Sequence, residues 1–126
     1  MKDDIRVILA DNNVQDRESK KRLLNEQGIQ VVYETGDGKK ALENIKKLKP
    51  DVVVMDMILP GVDGLEILEE CREFTEYKPL FIIATALRRE GLIEQALAQG
   101  ANYYMMKPLS ATMLIKRIRQ IAASVG

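Results

Sequence analysis

Four apolar runs of this 126-residue sequence lead into side chains that could take part in phosphate chemistry. Asp11 and Asn12 follow one run, and Asp56 follows another. Thr85 and Lys107 stand at the ends of two more. Carboxylate oxygens favour Mg²⁺ over transition metals, whereas a Lys ammonium and a Thr hydroxyl can donate hydrogen bonds to phosphate oxygens. An aspartate ionised beside Mg²⁺ is a competent nucleophile toward phosphorus, so this set predicts phosphoryl transfer to Asp56.

The sequence contains no histidine, which excludes His-based catalytic triads and His metal sites. Chemistry must therefore come from carboxylates, lysines, hydroxyls or a bound metal ion. Two phosphate-binding motifs, G-x-x-x-x-G-K-[ST] and G-x-G-x-x-G, are also missing from the sequence, so nucleotide binding is unsupported. A phosphatase with an Asp-x-Asp motif would need an acid two residues after Asp56, where the chain has Ile58.

Lys plus Arg and Asp plus Glu both number 19, so the chain has no general attraction to nucleic acid or to an anionic membrane. No apolar run approaches the length of a membrane span, and residues 1–4 do not resemble the start of a signal peptide. The single cysteine, Cys71, excludes an internal disulfide and fits a reducing compartment. We therefore expect one domain over residues 1–126, located in the cytoplasm, with no membrane partner and no direct nucleic-acid partner.

Five short apolar runs, rich in Val, Ile, Tyr and Phe, recur along the chain and predict strands buried on both faces. They cover residues 7–10, 31–33, 52–55, 80–84 and 103–106. Apolar residues at helical spacing lie between them and predict helices. Three such stripes are Ala41, Leu42, Ile45 and Leu48; Leu65, Leu68 and Cys71; and Leu114, Ile115, Ile118 and Ile121.

The alternation of strand and helix predicts an α/β fold with a parallel sheet and helices on both faces. Five such units fit a flavodoxin-like (βα)5, doubly wound five-stranded sheet with strand order 2-1-3-4-5. Sheets of this kind bind ligands beyond the carboxyl ends of their strands, which is where the polar positions fall. A plainer explanation is that these residues only cap the following helices. It does not account for Lys107, which is no helix cap, or for Asp56, which stands between two methionines.

The sequence resembles the response-regulator receiver (CheY-like) family along nearly its whole length. The similarity is carried by segments in the family's order and spacing: ILADN (8–12), DMILPGVDG (56–64), ATA (84–86) and GANYYMMKP (100–108). The resemblance implies that Asp56 is the phosphoacceptor. It also implies a Mg²⁺ site formed by Asp11, Asn12, Asp56 and the backbone carbonyl of Ile58.

By the same resemblance, Thr85 and Lys107 would contact the phosphate, and Thr85 and Tyr104 would form the conformational switch. The Lys107–Pro108 peptide bond is one that can be cis. The family takes its phosphoryl group from a sensor histidine kinase or a histidine phosphotransfer protein, and the lack of histidine here fits a donor on another chain. The chain itself is not expected to be an enzyme.

Within the family, the segments DMILP (56–60), ANYYMMKP (101–108) and RIRQ (117–120) look most like the receiver of the Firmicute sporulation transcription factor. That finer resemblance implies a DNA-binding output domain outside this chain, and it leaves open whether phosphorylation produces a homodimer. Two alternatives remain: a phosphate-independent pseudo-receiver that serves as an interaction module, and a small metal-dependent phosphatase. The phosphatase would lack an acid–base partner for Asp56.

The chain departs from the family pattern at Asn12, where most receivers have a second acid. An amide oxygen can still coordinate Mg²⁺, but the lost charge predicts weaker Mg²⁺ affinity. Ile58 and Leu87 occupy the positions two residues after Asp56 and Thr85, which flank the phosphate in the family. Their apolar side chains offer no group to orient water, so we expect a long-lived phosphorylated state.

The last predicted helix, residues 110–123, carries Lys116, Arg117 and Arg119 on its polar side. These cations are most simply a solvated surface. The alternative is that this helix, the fifth strand and the pair Arg88 and Arg89 form a face for dimerisation or for an output domain.

Overall fold

The computed structural model of the protein describes residues 4–87, 89 and 91–123. Within these residues, five strands alternate with five helices. The strands are β1 (Arg6–Ala10), β2 (Gln30–Thr35), β3 (Val52–Met55), β4 (Leu80–Thr85) and β5 (Tyr103–Met106). The helices are α1 (Val14–Glu26), α2 (Gly38–Leu48), α3 (Gly64–Arg72), α4 (Leu92–Ala98) and α5 (Ala111–Ala123). Arg88, one of the residues considered for a partner face, lies outside the described residues.

The strands form one parallel sheet with the order β2-β1-β3-β4-β5, which confirms the predicted fold. The register determines which strand ends meet. Met55 lies opposite both Ala10 and Ile83, and Thr85 lies opposite Met106. The residues that follow β1, β3, β4 and β5 therefore come together at one edge of the sheet.

Two hydrophobic clusters hold the helices against the two faces of the sheet. Alternate residues of β1 belong to opposite clusters, as the two-residue period of a strand requires: Val7 and Leu9 to one, Ile8 and Ala10 to the other. The first cluster includes buried residues of α1 and α5, and the second includes buried residues of α2, α3 and α4. Each fully buried aliphatic side chain contributes about 1.5–3 kcal/mol relative to its exposed state, so the strand ends are firmly fixed.

The two edge strands differ from the prediction of strands buried on both faces. All four residues of β5 are partly exposed, and β2 is buried only at Thr35. An edge strand has a neighbouring strand on one side alone, so the helices cover its side chains less completely. The inner strands β1, β3 and β4 are buried at nearly every position, as predicted.

The predicted helical stripes are confirmed in α2, α3 and α5. Their buried members are Ala41, Ile45, Leu68, Cys71, Leu114 and Ile118. Helix α5 begins at Ala111, one residue later than predicted, because Ser110 accepts a hydrogen bond from the Met113 amide (3.3 Å) as an N-cap does. Among the helices that the structure describes, none has the length and apolar character needed to cross a membrane.

The basic residues of α5 do not form a uniformly solvated surface. Lys116 and Arg119 are exposed, but Arg117 is only partly exposed, and its guanidinium carbon lies 4.7 Å from the centre of the Tyr103 ring. This cation–π contact attaches α5 to the edge strand β5. Arg119 donates a hydrogen bond to the carbonyl of Gln27 (2.8 Å), which ends α1.

Candidate functional site

Backbone hydrogen bonds extend the sheet one residue past its strand ends and fix the candidate site residues. The amide of Asp56 donates to the last carbonyl of β1, and the amide of Asp11 donates to the last carbonyl of β2, each at 2.9 Å. The amide of Lys107 donates to the carbonyl of Thr85, also at 2.9 Å. Because the sheet is anchored in the core, these residues occupy positions that the fold determines.

The ammonium of Lys107 bridges the carboxylates of Asp11 and Asp56. Its Nζ lies 2.6 Å from Asp11 Oδ2 and 2.7 Å from Asp56 Oδ2. The three side chains are only 17%, 16% and 14% exposed, so water screens these ion pairs weakly. Burial alone would lower the pKa of Lys107, but hydrogen bonds to the two aspartates outweigh it and raise the pKa above 10.5. Lys107 therefore stays charged at neutral pH and offsets one of the two negative charges of the cluster.

The second oxygen of each carboxylate accepts a hydrogen bond from the backbone of the following loop. Asp11 Oδ1 accepts from the amide of Asn13 (2.9 Å), and Asp56 Oδ1 accepts from the amide of Ile58 (3.2 Å). These local contacts orient the two side chains. One oxygen of Asp56 thus faces the Lys107 ammonium, and the other faces a backbone N–H donor.

The donor set at this edge suits a hard divalent cation. One oxygen from each of Asp11 and Asp56 contacts the Lys107 ammonium. A metal ion bound by both carboxylates would use oxygens of the same two groups. Within the described residues, no group of three or more His, Cys, Asp or Glu side chains is arranged to hold a metal. A Mg²⁺ ion bound by Asp11 and Asp56 would therefore need backbone, amide or water oxygens to complete its shell, which Mg²⁺ readily accepts.

Asn12 and Ile58 lie in the two loops that could supply those oxygens. Asn12 directly follows Asp11 and is exposed, and Ile58 is 57% exposed. The Ile58 side chain lies in solvent while its amide holds Asp56. The structure thus places Asp11, Asp56 and Lys107 in direct contact, and places Asn12 and Ile58 beside them in the chain.

Thr85 and Tyr104 are joined through one backbone segment at Leu87. The Thr85 hydroxyl is buried and accepts a hydrogen bond from the Leu87 amide (3.1 Å). The Tyr104 hydroxyl donates to the carbonyl of Leu87 at 3.2 Å and also lies 3.2 Å from the sulfur of Met106. The Thr85 hydroxyl is bound to its own loop and not to the carboxylates. Any movement of the Leu87 backbone would therefore alter the hydrogen bonds of both Thr85 and Tyr104.

Two glycines allow the loops around Asp56 to pack closely. A Cβ on Gly64 would lie 2.9 Å from the carbonyl oxygen of Asp56 and 3.0 Å from Met57 Cα. A Cβ on Gly38 would lie 1.6 Å from the carbonyl oxygen of Val62. Helices α2 and α3 can begin this close to the β3–α3 loop only because these positions have no side chain.

Sequence reasoning missed an ion pair, Arg17 with Glu34, whose arginine contacts the loop after β1. Arg17 Nη1 donates to the carbonyl of Asp11 (2.5 Å), and Arg17 Nε donates to Glu34 Oε1 (3.1 Å). The signal available in the sequence was an opposite-charge pair on α1 and β2, but nothing in its spacing shows that the pair meets at Asp11. The Lys107–Pro108 bond, which the resemblance marked as one that can be cis, is cis.

The family model described as "Response regulator receiver domain" matches residues 7–119. The transcriptional regulatory protein PdtaR of Mycobacterium tuberculosis is 34% identical over 128 residues, which cover 96% of this chain and 62% of that protein. The transcriptional regulatory protein TrcR of the same organism is 38% identical over 120 residues, which cover 91% of this chain and 44% of that protein. The chain thus spans about half the length of these curated relatives.

Solved receiver structures superpose on nearly the entire chain. The signal receiver domain of the response regulator NarL from Mycobacterium tuberculosis has a TM-score of 0.90 and 31% identity, and the match covers 97% of this chain and 98% of that chain. The receiver domain of the Francisella response regulator 1452 has a TM-score of 0.86 and 28% identity, with 97% and 99% covered. The shared fold places the carboxyl ends of the strands at the same edge in each protein.

Proposed function

Because the chain belongs to the response-regulator receiver family of two-component signalling, we propose that it accepts a phosphoryl group on Asp56 in the presence of Mg²⁺. The donor would be a phosphohistidine of a sensor histidine kinase or of a histidine phosphotransfer protein, since this chain has no histidine. The observation that carries the proposal is the Lys107 ammonium held between the carboxylates of Asp11 and Asp56. It combines a nucleophile, a second acid and a phosphate-neutralising cation in one shielded group.

The proposed transfer is a single in-line displacement. A carboxylate oxygen of Asp56 bonds to phosphorus as the phosphorus–nitrogen bond of the donor breaks, and the imidazole nitrogen leaves with the electron pair. A bound Mg²⁺ would supply charge neutralisation for the transferring group. Asp11, the Asn12 amide and the Ile58 carbonyl are the residues proposed to hold it, together with Asp56. Lys107 is placed to follow the new charge, because it already contacts Asp56 Oδ2 at 2.7 Å.

Conversion of phosphate into signal is proposed to pass through Leu87. An aspartyl phosphate carries about one and a half to two negative charges beside the β4 end, where the free carboxylate carries one. The Thr85 hydroxyl would have to leave the Leu87 amide, which it contacts at 3.1 Å, in order to bind a phosphate oxygen. Loss of that bond frees the segment whose carbonyl holds the Tyr104 hydroxyl. Tyr104 could then change its rotamer, which would alter the surface formed by β5.

The output is proposed to be transcriptional control by a DNA-binding domain outside residues 1–126. Two relatives are transcriptional regulators of which the chain spans 62% and 44%, which supports this proposal. We propose that this output domain resembles that of the Firmicute sporulation transcription factor. We further propose that the chain has no catalytic turnover of its own, and that phosphorylation produces a homodimer. Exposed apolar side chains on α4 and α5, at Ile93, Leu97 and Met113, support a protein-contacting face there.

Intact-mass measurement after incubation with acetyl phosphate and Mg²⁺ tests the central proposal. The wild type should gain the mass of one phosphoryl group, and Asp56→Ala should gain none. Asp63→Asn is a matched control, because Asp63 caps α3 and an Asn keeps that cap while one carboxylate is lost. The control should be phosphorylated like the wild type.

The other functions give different results in the same experiment. A pseudo-receiver would gain no mass in either protein. A phosphatase would release phosphate with repeated turnover and accumulate little modified chain. Sedimentation of the phosphorylated wild type tests the dimer separately, and an unchanged monomer would contradict that part of the proposal.

A further inference from the structure

The acidic loop after β1 is held from outside by a small ionic cluster. Arg17, on α1, directs Nη1 to the carbonyl oxygen of Asp11 at 2.5 Å and Nε to Glu34 at 3.1 Å. Lys21 lies 3.2 Å from the other oxygen of Glu34. The Asp11 carbonyl belongs to the peptide bond between Asp11 and Asn12. One guanidinium therefore connects that peptide to the edge strand β2.

The surroundings of Arg17 restrict it to this position. Its side chain is only 13% exposed, and Glu34 is 20% exposed. A Cβ on Gly36 would lie 3.2 Å from Arg17 Nη1 and 3.1 Å from the Cα of Asn12, so Gly36 leaves room for both. Burial opposes the charge on Glu34, but hydrogen bonds from Arg17 and Lys21 outweigh it and lower its pKa below 4.5. The ion pair is therefore fully formed at neutral pH.

Arg17 also lines a cavity that the acidic residues share. The cavity has a volume of about 20 Å³, and Asp11, Asp56 and Lys20 are among its other lining residues. A space of this size holds about one water molecule. The guanidinium thus lies near Asp11 and Asp56. Among the described contacts, it forms no hydrogen bond with either carboxylate.

We propose that Arg17, braced by Glu34, is a positioning residue that holds the Asp11–Asn12 peptide in the geometry needed to bind Mg²⁺. The inference rests on the proposed function, since it concerns the same metal site. Outer residues that orient metal ligands change metal affinity by about ten- to a hundredfold when they are replaced. A chain with only one acid in this loop depends more on the placement of that acid and of the neighbouring amide oxygen.

Three explanations of the role of Arg17 predict different changes in Mg²⁺ affinity when it is replaced. Positioning predicts that loss of Arg17 weakens Mg²⁺ binding. A purely electrostatic role predicts tighter binding, because a positive charge near the carboxylates would be removed. A purely structural role predicts a lower denaturant midpoint with an unchanged Mg²⁺ dissociation constant.

The test compares wild type, Arg17→Gln, Arg17→Lys and Glu34→Gln, with Arg22→Gln as the control. Arg22 is an exposed arginine on the same helix. Titration calorimetry with MgCl₂ measures the dissociation constant, and urea unfolding confirms that each variant is folded. Hydrogen exchange of the Asn13 amide, without Mg²⁺, reports on the loop itself, because that amide donates to Asp11 Oδ1.

Arg17→Gln should weaken Mg²⁺ binding about tenfold and speed exchange at Asn13. Arg17→Lys should also weaken binding, because a single ammonium does not reproduce the two-pronged guanidinium contact. Glu34→Gln should give a smaller loss and Arg22→Gln none. If Arg17→Gln were too unstable to measure, Arg17→Lys and Glu34→Gln would decide the matter by the same readouts.

Unchanged or tighter Mg²⁺ binding in the Arg17 variants would overturn the inference. If the wild type is phosphorylated on Asp56 while the variants bind Mg²⁺ normally, only the role of Arg17 is wrong. If the wild type neither binds Mg²⁺ nor accepts phosphate, the proposed function fails and this inference fails with it.

Discussion

Replacement of Lys107 by Met tests two effects of its ammonium: it stabilises the fold, and it competes with Mg²⁺ for the carboxylates of Asp11 and Asp56. Met has a similar length and apolar stem but no charge. In the resting chain, the ammonium contacts Asp11 at 2.6 Å and Asp56 at 2.7 Å. Because its pKa is raised, the substitution removes a full positive charge at pH 7. The two carboxylates are then left to repel each other.

The size of the effect follows from those two contacts. A hydrogen bond between charged groups contributes about 1.5–3 kcal/mol, and the cost of removing the charges from water lowers the net contribution of each contact here to about 1 kcal/mol. Lys107→Met should therefore lower the free energy of unfolding by about 2 kcal/mol without Mg²⁺. An entering Mg²⁺ must draw at least one carboxylate away from the ammonium in the wild type. Without that competition, the variant should bind Mg²⁺ about five- to tenfold more tightly, since 1.4 kcal/mol corresponds to a factor of ten.

Urea unfolding with and without saturating MgCl₂ measures both the loss of unfolding free energy and the gain in Mg²⁺ affinity. A ligand that binds only the folded state stabilises it in proportion to the logarithm of its affinity. Mg²⁺ should therefore stabilise Lys107→Met by about 1 kcal/mol more than it stabilises the wild type. Lys40→Met, which removes an exposed lysine on α2, is the control and should show the wild-type increment. An equal or smaller Mg²⁺ increment in Lys107→Met would refute the view that Lys107 and Mg²⁺ compete for the same oxygens.

The remaining predictions concern the loops around the same edge. Asn12→Asp should bind Mg²⁺ about fivefold more tightly, since one charge at a partly exposed site is worth about 1 kcal/mol, and equal dissociation constants by calorimetry would contradict this. The double variant Ile58→Asn, Leu87→Glu should lose its phosphate faster than the wild type in a dephosphorylation time course, because polar groups can orient water there; slower loss would count against the expected long lifetime. Gly64→Ala should cost about 1–3 kcal/mol in urea unfolding and slow phosphorylation, because its Cβ would lie 2.9 Å from the Asp56 carbonyl. Glu34→Gln should be less stable than the wild type at pH 7, and this difference should shrink as the pH falls below 4.5. The folded-state pKa of Glu34 is lowered below 4.5, so the carboxylate stabilises the fold above that pH, and this stabilisation is lost as the pH falls through the folded-state pKa. A difference in stability that does not depend on pH would show that the ion pair is not the cause.

The convergence of Asp11, Asp56 and Lys107 could be predicted because each follows a strand of a parallel sheet. Strand ends in such a sheet share one edge, and the sequence predicts both the strands and their order. The partial exposure of β2 and β5 also follows from that order, since it places them at the edges, although their apolar composition suggested full burial.

The contacts of Lys107 and Arg17 could not be predicted in the same way. The side chain of Lys107 has four rotatable bonds, and its position between two carboxylates depends on the charges around it and not on any periodic pattern. The sequence therefore suggested Mg²⁺ as the cation between the acids, whereas the ammonium fills that role in the resting chain. Arg17 and Glu34 are 17 residues apart on different elements, and only the tertiary fold shows that they meet at Asp11.

The charge at this edge explains why a loop with a single acid can still support the proposed switch. The resting cluster of Asp11, Asp56 and Lys107 carries one net negative charge. With Mg²⁺ bound it would carry one net positive charge, which favours the approach of an anionic phosphoryl group. An aspartyl phosphate carries about one and a half to two negative charges in place of one, so the modified site would be close to neutral. A second acid at position 12 would give that state a net negative charge. We therefore expect Asn12 to weaken Mg²⁺ binding before phosphorylation but to bring the phosphorylated site closer to neutral charge.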